Sequence, residues 1–218
     1  MTKKTAPRKG GYTAAVFAIW LFFISLALLA GFNLASTIKG APAQRSYDAD
    51  NVGEYVTLIG DSISHQSREE ISQALPGVDF EAVSGIQFDG YRQPFGEGGL
   101  TRLKKHTLRD VVVFLLGSNN GVNAQQLTEL YDYVGPNRKL VLMTTYVGQI
   151  LDSSITWNTT ILDFAQKHDN IIILDWYSAN ADDPDRYLFR DRLHPNLTGR
   201  QIFAQMVKDA VLESLDLN

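Results

Sequence analysis

The sequence predicts one α/β domain of three layers, in which helices cover both faces of a parallel sheet. Short β-branched apolar runs alternate with longer amphipathic segments, and this alternation indicates parallel strands connected by helices. One much longer apolar stretch is confined to the N-terminal part of the chain, and it predicts a single transmembrane helix ahead of the domain. We find no internal repeat and no low-complexity tract.

The long apolar stretch covers residues 12–35 and contains no charged side chain. A helix crosses a bilayer core with about 20 apolar residues, so this stretch is long enough to span. A cleaved secretory signal has an apolar core of only about 7–15 residues, which favours a retained anchor, although Ala41-Pro42-Ala43 resembles a cleavage site. More basic residues precede the span than follow it closely, so we expect a single-pass protein of the cell membrane with its N-terminus in the cytoplasm. The basic residues before the span are Lys3, Lys4, Arg8 and Lys9; those after it are Lys39 and Arg45.

The predicted organisation is therefore a cytoplasmic basic tail (1–11), the anchor (12–35), a polar linker (36–52) and an extracytoplasmic domain (53–218). Six of the 20 basic residues and none of the 24 acidic residues lie in 1–45, which leaves a formal charge of −10 on 46–218. A surface this acidic argues against nucleic acid and anionic lipid headgroups as ligands. The absence of cysteine excludes disulfides, thiolate metal sites and cysteine nucleophiles.

Five compact apolar runs predict strands of the sheet, the second being the weakest. They are 55–59, 78–83, 111–116, 140–144 and 171–174. Five amphipathic segments predict the main helices. They are 68–75, 100–105, 124–134, 153–167 and 197–215.

Two short motifs directly follow predicted strands: Gly60-Asp61-Ser62 and Gly117-Ser118-Asn119. Ligands of parallel sheets bind outside the carboxyl ends of the strands. About 55 residues separate the two motifs, yet both should lie at the same edge of the sheet, so we expect a functional site there.

The side chains at this edge suit serine ester chemistry. A serine hydroxyl needs an adjacent base to act as a nucleophile, and His194 is the candidate base for Ser62. Asp191 precedes His194 by three residues and would hold its imidazole in the correct tautomer. The oxyanion formed during attack needs preorganised donors, for which the Ser62 and Gly85 N–H groups and the Asn119 side-chain amide are suitable.

Other residues have weaker assignments. His65 would line the site, and Arg92 and Gln93 would contact a sugar or a carboxylate or else form a solvated loop pair. Trp176 and Tyr177 would stack on a sugar ring or, more simply, pack in the core or at the rim.

His106 and His168 have the sequence context of solvated surface residues. Asn158 and Asn196 both begin glycosylation sequons, and Asn196 would also cap the last helix. No spacing of acids and histidines suggests a metal site, and we expect no metal and no cofactor.

Each motif alone has an ordinary structural explanation, since Gly-Asp-Ser is often a turn and Asp-x-x-His-Pro is often a helix start. Their order along the chain is more specific. Gly-Asp-Ser, then Gly85, then Gly-x-Asn, then Asp-x-x-His resembles the SGNH (GDSL-type) hydrolase superfamily over essentially all of 55–215. The resemblance implies a flavodoxin-like fold and assigns Ser62, Gly85, Asn119 and His194 as its four named residues, with Asp191 completing the triad. The third motif departs slightly from the family pattern because Asn120 stands where an aspartate is usual.

Within the superfamily, four segments resemble the extracytoplasmic domain of bacterial peptidoglycan O-acetyltransferases. They are Gly90-Tyr91-Arg92-Gln93, Leu116-Gly117-Ser118-Asn119, Leu174-Asp175-Trp176-Tyr177 and the stretch 184–194. The resemblance implies that a multi-span membrane acyltransferase delivers acetyl groups to such a domain. With one predicted span in this chain, that part would be a separate protein.

These observations lead to one principal hypothesis and two alternatives. The principal hypothesis is a membrane-anchored serine enzyme that acts on O-acyl groups, most simply O-acetyl, of cell-envelope polysaccharide through an acyl-serine. The residues do not distinguish an O-acetyltransferase from an acetylesterase. The first alternative is a catalytically idle binding or assembly subunit of a membrane acyltransferase system. The second is a lipid esterase or thioesterase, which the polar loops around the motifs disfavour.

Overall fold

A computed structural model of the chain describes residues 46–90 and 96–217. The predicted anchor at 12–35 lies outside the described residues, and so do Arg92 and Gln93. In the part of the chain that is described, no helix is both long enough and apolar enough to cross a bilayer. From Tyr47 onward the chain forms one compact unit.

Five parallel strands form the sheet, in the spatial order β2-β1-β3-β4-β5. Their bounds are β1 Val56–Gly60, β2 Asp79–Ala82, β3 Val111–Leu115, β4 Lys139–Met143 and β5 Ile171–Leu174. The five predicted strands are all present, and the α/β prediction with a parallel sheet is confirmed. The central strands β1 and β3 are buried along their whole length, as expected for strands covered on both faces.

Eight α-helices connect or follow the strands within the described residues. They are α1 Ser62–Gln66, α2 Arg68–Ala74, α3 Gly99–Leu103, α4 Ala124–Val134, α5 Leu151–Ala165, α6 Trp176–Ala181, α7 Pro184–Tyr187 and α8 Leu197–Ser214. Two 3₁₀ helices, Ala49–Tyr55 and Gly148–Ile150, precede β1 and α5. Three short helices (α1, α6 and α7) have no counterpart in the sequence prediction, because segments of four to six residues are too short to show a helical period.

The side chains of β3 alternate between two apolar cores, one on each face of the sheet. Val111, Val113 and Leu115 belong to the first core, and Val112 and Phe114 belong to the second. Helix α8 covers the first core with side chains that include Phe203, Val207 and Val211. Helices α4 and α5 cover the second with Leu127, Leu130, Val134, Ile161 and Phe164. These contacts produce the three layers, since a strand presents successive side chains to opposite faces.

The prediction that His106 and His168 are solvated surface residues is wrong. His106 Nδ1 lies 2.8 Å from Asp79 Oδ2, and its Nε2 lies 2.9 Å from Glu81 Oε2. The His168 ring packs 4.0 Å from the Tyr131 ring and 4.6 Å from the Phe164 ring, measured between centroids. Asp79, Glu81 and Tyr131 come from distant parts of the chain, which the local context of a histidine does not indicate; Phe164 lies one helical turn before His168.

Candidate active site

Ser62 lies at the point where β1 turns into α1. The Asp61 side chain caps this helix by accepting a hydrogen bond from Ile63 N–H (3.0 Å), which makes Ser62 the first helical residue. The first N–H groups of a helix have no acceptor within it, so the Ser62 N–H is available to a ligand. The Ser62 side chain is almost buried at the carboxyl edge of the sheet.

His194 is hydrogen-bonded to Ser62 although 132 residues separate them. The distance between His194 Nε2 and Ser62 Oγ is 3.0 Å, and the distance between His194 Nδ1 and Asp191 Oδ2 is 2.7 Å. A carboxylate can only accept, so Nδ1 donates to Asp191 and the neutral ring leaves Nε2 to accept the serine proton. This is the arrangement that a nucleophile, its base and an orienting acid require.

Three hydrogen bonds hold the Asp191 carboxylate in place. Besides accepting from His194 Nδ1, it accepts from Leu193 N–H (3.1 Å) and His194 N–H (3.0 Å). Partial burial opposes ionisation of Asp191, but the hydrogen bonds from His194 and Leu193 outweigh it and lower the pKa below its ordinary value. Asp191 is therefore a stable acceptor for the imidazole at neutral pH.

The backbone of 188–195 forms a tight loop that presents these two side chains. Phe189 N–H donates to the His194 carbonyl oxygen (2.9 Å), and Arg192 N–H donates to the Phe189 carbonyl oxygen (2.8 Å). Arg192 has φ = 51°, an uncommon conformation for a residue with a Cβ. Because the loop closes on itself, the Asp191–His194 spacing is held locally and not only by contact with Ser62.

The Asn119 side chain connects the third motif to the loop that contains Gly85. Asn119 Nδ2 donates to the Ile86 carbonyl oxygen (3.0 Å), which engages one of its two protons and leaves the other for an oxyanion. Gly85 has φ = +84° and follows the end of β2. Only glycine adopts this conformation readily, and the missing Cβ lets the backbone approach a ligand closely.

Asp61 and Ser118 join the first and third motifs, a role that we did not predict. Ser118 Oγ–H donates to Asp61 Oδ2 (2.5 Å), and both side chains are buried. Burial raises the pKa of Asp61, and the hydrogen bonds from Ser118 and Ile63 offset this only in part. The signal for this pair was available, because Asp61 directly follows β1 and Ser118 lies three residues past the end of its neighbour β3.

The loop after β4 supports the base from the other side and was also missed. Gly148 N–H donates to the Arg192 carbonyl oxygen (3.0 Å), and the Gln149 side-chain amide donates to the Asp191 carbonyl oxygen. A Cβ on Gly148 would lie 2.6 Å from Arg192 Cβ, so glycine is required for this approach. Nothing in the sequence marks this contact.

A cleft of about 300 Å³ opens beside Asn119. Its lining combines neutral polar and apolar side chains: Ser118, Asn119, Val147, Gln149, Ile150 and Leu193. Leu193 and Asn119 both belong to the motifs of the candidate site, so this cleft adjoins it.

The other residues singled out in the sequence lie in different surroundings. His65 is exposed, and its Nδ1 lies 3.1 Å from the Ala82 carbonyl oxygen at the end of β2. Trp176 is fully buried in the first core. The Asn158 side chain is buried and hydrogen-bonded to the Thr145 backbone, so this sequon is inaccessible to glycosylation. Among the described residues, no group of three or more His, Asp or Glu side chains could hold a metal ion.

Comparison with known proteins gives matches in both sequence and fold. The sequence is 25% identical over 156 residues to the O-acetyltransferase OatA of Staphylococcus aureus. The aligned region covers 69% of this chain and 24% of that protein. The C-terminal catalytic domain of the Streptococcus pneumoniae peptidoglycan O-acetyltransferase OatA, solved with a methylsulfonyl adduct, superposes with a TM-score of 0.62. That match has 20% identity and covers 74% of this chain and 94% of that domain.

The chain shares the fold of this catalytic domain and resembles an O-acetyltransferase in sequence. A member of the lipolytic G-D-S-L family from Veillonella parvula shares the same fold, with a TM-score of 0.56, 17% identity and coverage of 71% of this chain and 96% of that one. No protein-family model matches the sequence. The chain spans about a quarter of the length of the curated relatives that it matches.

Proposed function

We propose that this chain is a serine enzyme that transfers or hydrolyses O-acetyl groups of cell-envelope polysaccharide. The observation that carries the proposal is the hydrogen-bonded series Ser62–His194–Asp191 at the carboxyl edge of the sheet. Sequence similarity to an O-acetyltransferase supports acetyl as the acyl group, and the fold shared with a peptidoglycan O-acetyltransferase domain supports a glycan as its carrier.

In the proposed first step, Ser62 Oγ attacks the acyl carbonyl carbon while His194 Nε2 takes the hydroxyl proton. The negative charge on the carbonyl oxygen is stabilised by the Ser62 and Gly85 N–H groups and the Asn119 amide. When the tetrahedral intermediate collapses, the ester C–O bond breaks, His194 returns the proton to the leaving oxygen, and acetyl-Ser62 remains.

In the second step, His194 deprotonates the incoming nucleophile, which attacks the carbonyl carbon of acetyl-Ser62 with the same oxyanion contacts. The bond between this carbon and Ser62 Oγ then breaks, and His194 returns the proton to Ser62 Oγ. Water as nucleophile releases acetate, whereas a sugar hydroxyl produces a new O-acetyl ester. The same residues serve both outcomes. The occupant of the cleft beside Asn119 therefore decides between hydrolysis and transfer, since a bound sugar there would compete with water for the acyl-enzyme.

We further propose that the domain works outside the cytoplasmic membrane, held by residues 12–35. The apolar length of this stretch and the excess of basic residues before it support this placement. In the transfer reaction, a separate multi-span membrane acyltransferase would supply the acetyl group.

The test compares the full-length wild-type chain with Ser62→Ala and with Ser72→Ala, a control at an exposed serine on α2. Each protein receives 4-nitrophenyl acetate, with and without chito-oligosaccharide acceptors, and products are followed by mass spectrometry. We expect acetate or acetylated sugar from the wild type and the control, and a loss of at least about a thousandfold in Ser62→Ala. Equal turnover by Ser62→Ala would refute the acyl-serine mechanism and favour the idle-subunit alternative.

A further inference from the structure

Four large apolar side chains are exposed at the start and along one helix beside the cleft near Asn119 and a second cavity. Ile150 lines the cleft beside Asn119, and Ile155 and Leu162 line a separate cavity of about 330 Å³. Leu151 lies between them in the sequence, at the start of α5. We call these four residues (Ile150, Leu151, Ile155 and Leu162) the α5 track.

The track is exposed to a degree unusual for large apolar side chains. Its members are exposed by 46%, 37%, 44% and 41% in chain order, and within the described residues only Phe189 and Leu197 are comparable. Spacings of four and seven residues place Leu151, Ile155 and Leu162 on one face of the helix. At a rise of about 1.5 Å per residue, Leu151 and Leu162 are about 16 Å apart along the axis. Several exposed apolar side chains aligned on one helix face and adjoining two cavities indicate a ligand-binding surface.

Neutral polar groups border the track at both ends. Asn119 and Gln149 line the first cleft together with Ile150. Thr159 and Ser178 line the second cavity together with Tyr177. An alkyl chain in either cavity would leave such groups without partners, at a cost in free energy. A sugar ring satisfies both kinds of surface, because its C–H faces are apolar and its edges carry hydroxyls.

Charge at the second cavity selects against an anionic polymer. Partial burial opposes ionisation of Asp175, but hydrogen bonds from the Thr144 hydroxyl (2.6 Å) and Ser178 N–H (3.2 Å) outweigh it and lower the pKa. None of the described residues that line the two cavities is lysine or arginine. The ionised carboxylate of Asp175 accepts hydrogen bonds from sugar hydroxyls and repels phosphate or carboxylate groups.

We propose that the α5 track binds a neutral oligosaccharide chain, several sugar units long, whose esterified or acceptor sugar lies at Ser62. This inference rests on the proposed function and adds the substrate class. The oligosaccharide would extend from the cleft beside Asn119, along Leu151, to the cavity at Ile155 and Tyr177.

The experiment uses the full-length chain carrying both Ile155→Ser and Leu162→Ser. The matched control is Leu197→Ser, which removes an exposed leucine (71%) that lines neither cavity. The values of kcat/KM are measured for O-acetylated chitohexaose, for an O-acetylated monosaccharide and for 4-nitrophenyl acetate. Acetyl transfer to unmodified chitohexaose and binding of chitohexaose by calorimetry are measured in parallel, and circular dichroism verifies folding.

We expect kcat/KM for the hexasaccharide to fall at least tenfold in the double variant, mainly through KM, with the two small substrates within twofold of the wild type. The Leu197→Ser control should have the same kcat/KM as the wild type for all three substrates. Equal hexasaccharide kinetics in the double variant and the control would overturn the proposal, and so would a wild type that neither binds nor uses chitohexaose.

An acyl-binding role predicts a different pattern. If the track holds an alkyl chain, the wild type would prefer 4-nitrophenyl octanoate over the acetate and the double variant would lose that preference, which also overturns the proposal. Failure of the proposed function is separate, because it would be seen as Ser62-independent turnover of 4-nitrophenyl acetate.

Discussion

Single residues of the site differ in how far their neighbours constrain them. Asp191 accepts three hydrogen bonds from its own loop, and Asp61 is buried between Ile63 N–H and Ser118 Oγ–H. Among the described residues, Asn119 makes one side-chain hydrogen bond, to the Ile86 carbonyl oxygen. The surroundings of Ser62 are therefore closely constrained, while the Asn119 amide keeps a second N–H for the proposed oxyanion contact.

The neighbouring asparagines provide a matched test of the oxyanion donor. Asn119→Ala should lower kcat for 4-nitrophenyl acetate by about a hundredfold or more with little change in KM, because the lost hydrogen bond forms only as charge develops. Asn120→Ala removes the same side chain from an exposed position and should leave kcat within about twofold. Steady-state kinetics of the two variants decide the point. A similar kcat in both variants would show that Asn119 is not an oxyanion donor.

Among the structural elements, the loop after β4 connects α5 to the loop that carries Asp191 and His194. Helix α5 holds the start of this loop through Asn158, whose amide both accepts from Thr145 N–H (2.7 Å) and donates to the Thr145 carbonyl oxygen (2.9 Å). The end of the loop contacts the base loop through Gly148 and Gln149. A chain of direct contacts thus connects α5 to His194.

Gly148→Ala should disturb the base without unfolding the domain. The new Cβ would meet Arg192 Cβ at 2.6 Å and displace the loop that carries Asp191 and His194. A displacement of about 1 Å can lower a rate by about a hundredfold, so we expect kcat to fall between about tenfold and a hundredfold. Gly90→Ala, where a Cβ meets nothing within 4 Å, is the control. Unchanged kcat with an unchanged melting temperature would show that the loop tolerates the displacement.

The edge strand β2 is held by a histidine that bridges two of its carboxylates. Burial opposes protonation of His106, but the hydrogen bonds with Glu81 and Asp79 outweigh it and raise the pKa. Glu81 also pairs with Arg102. Strand β2 leads to Gly85, so this contact supports the loop that would supply an oxyanion donor.

His106→Gln should destabilise the domain in a pH-dependent way. A raised pKa in the folded state means that the stabilisation is complete below the ordinary histidine value of 6.5 and is lost as the pH rises through the folded-state pKa. We expect the free energy of unfolding to differ between wild type and variant by about 1 kcal/mol at pH 6 and by less at pH 9. Urea denaturation at both pH values measures this. A difference that does not change with pH would mean that His106 acts only through packing.

For the whole molecule, the distribution of charge and apolar sequence predicts its orientation. All the acidic residues lie after residue 45, and the uncharged stretch 12–35 follows four basic residues. Protease added to spheroplasts should digest the domain and leave an N-terminal epitope tag protected. Digestion that requires cell lysis would contradict this orientation. Release of a soluble domain that begins near residue 44 would instead indicate cleavage after Ala43.

The sequence by itself was sufficient for the order of the strands along the chain, the parallel sheet, and the four motifs from which the site is assembled. Buried strands and amphipathic helices have short periods that a local stretch reveals, and motifs that directly follow parallel strands must meet at one edge. The short helices α1, α6 and α7 fell below the length at which a period is visible.

Only the tertiary structure decided which distant residues touch. The 3.0 Å contact between Ser62 and His194, the support of the base loop by Gly148, and the partners of His106 all join segments far apart in the sequence. The α5 track likewise became a candidate surface only when its exposure was known and Ile150 was found to line the cleft beside Asn119. Local sequence sets the conformation of each segment, whereas the contacts between segments depend on how all of them pack together.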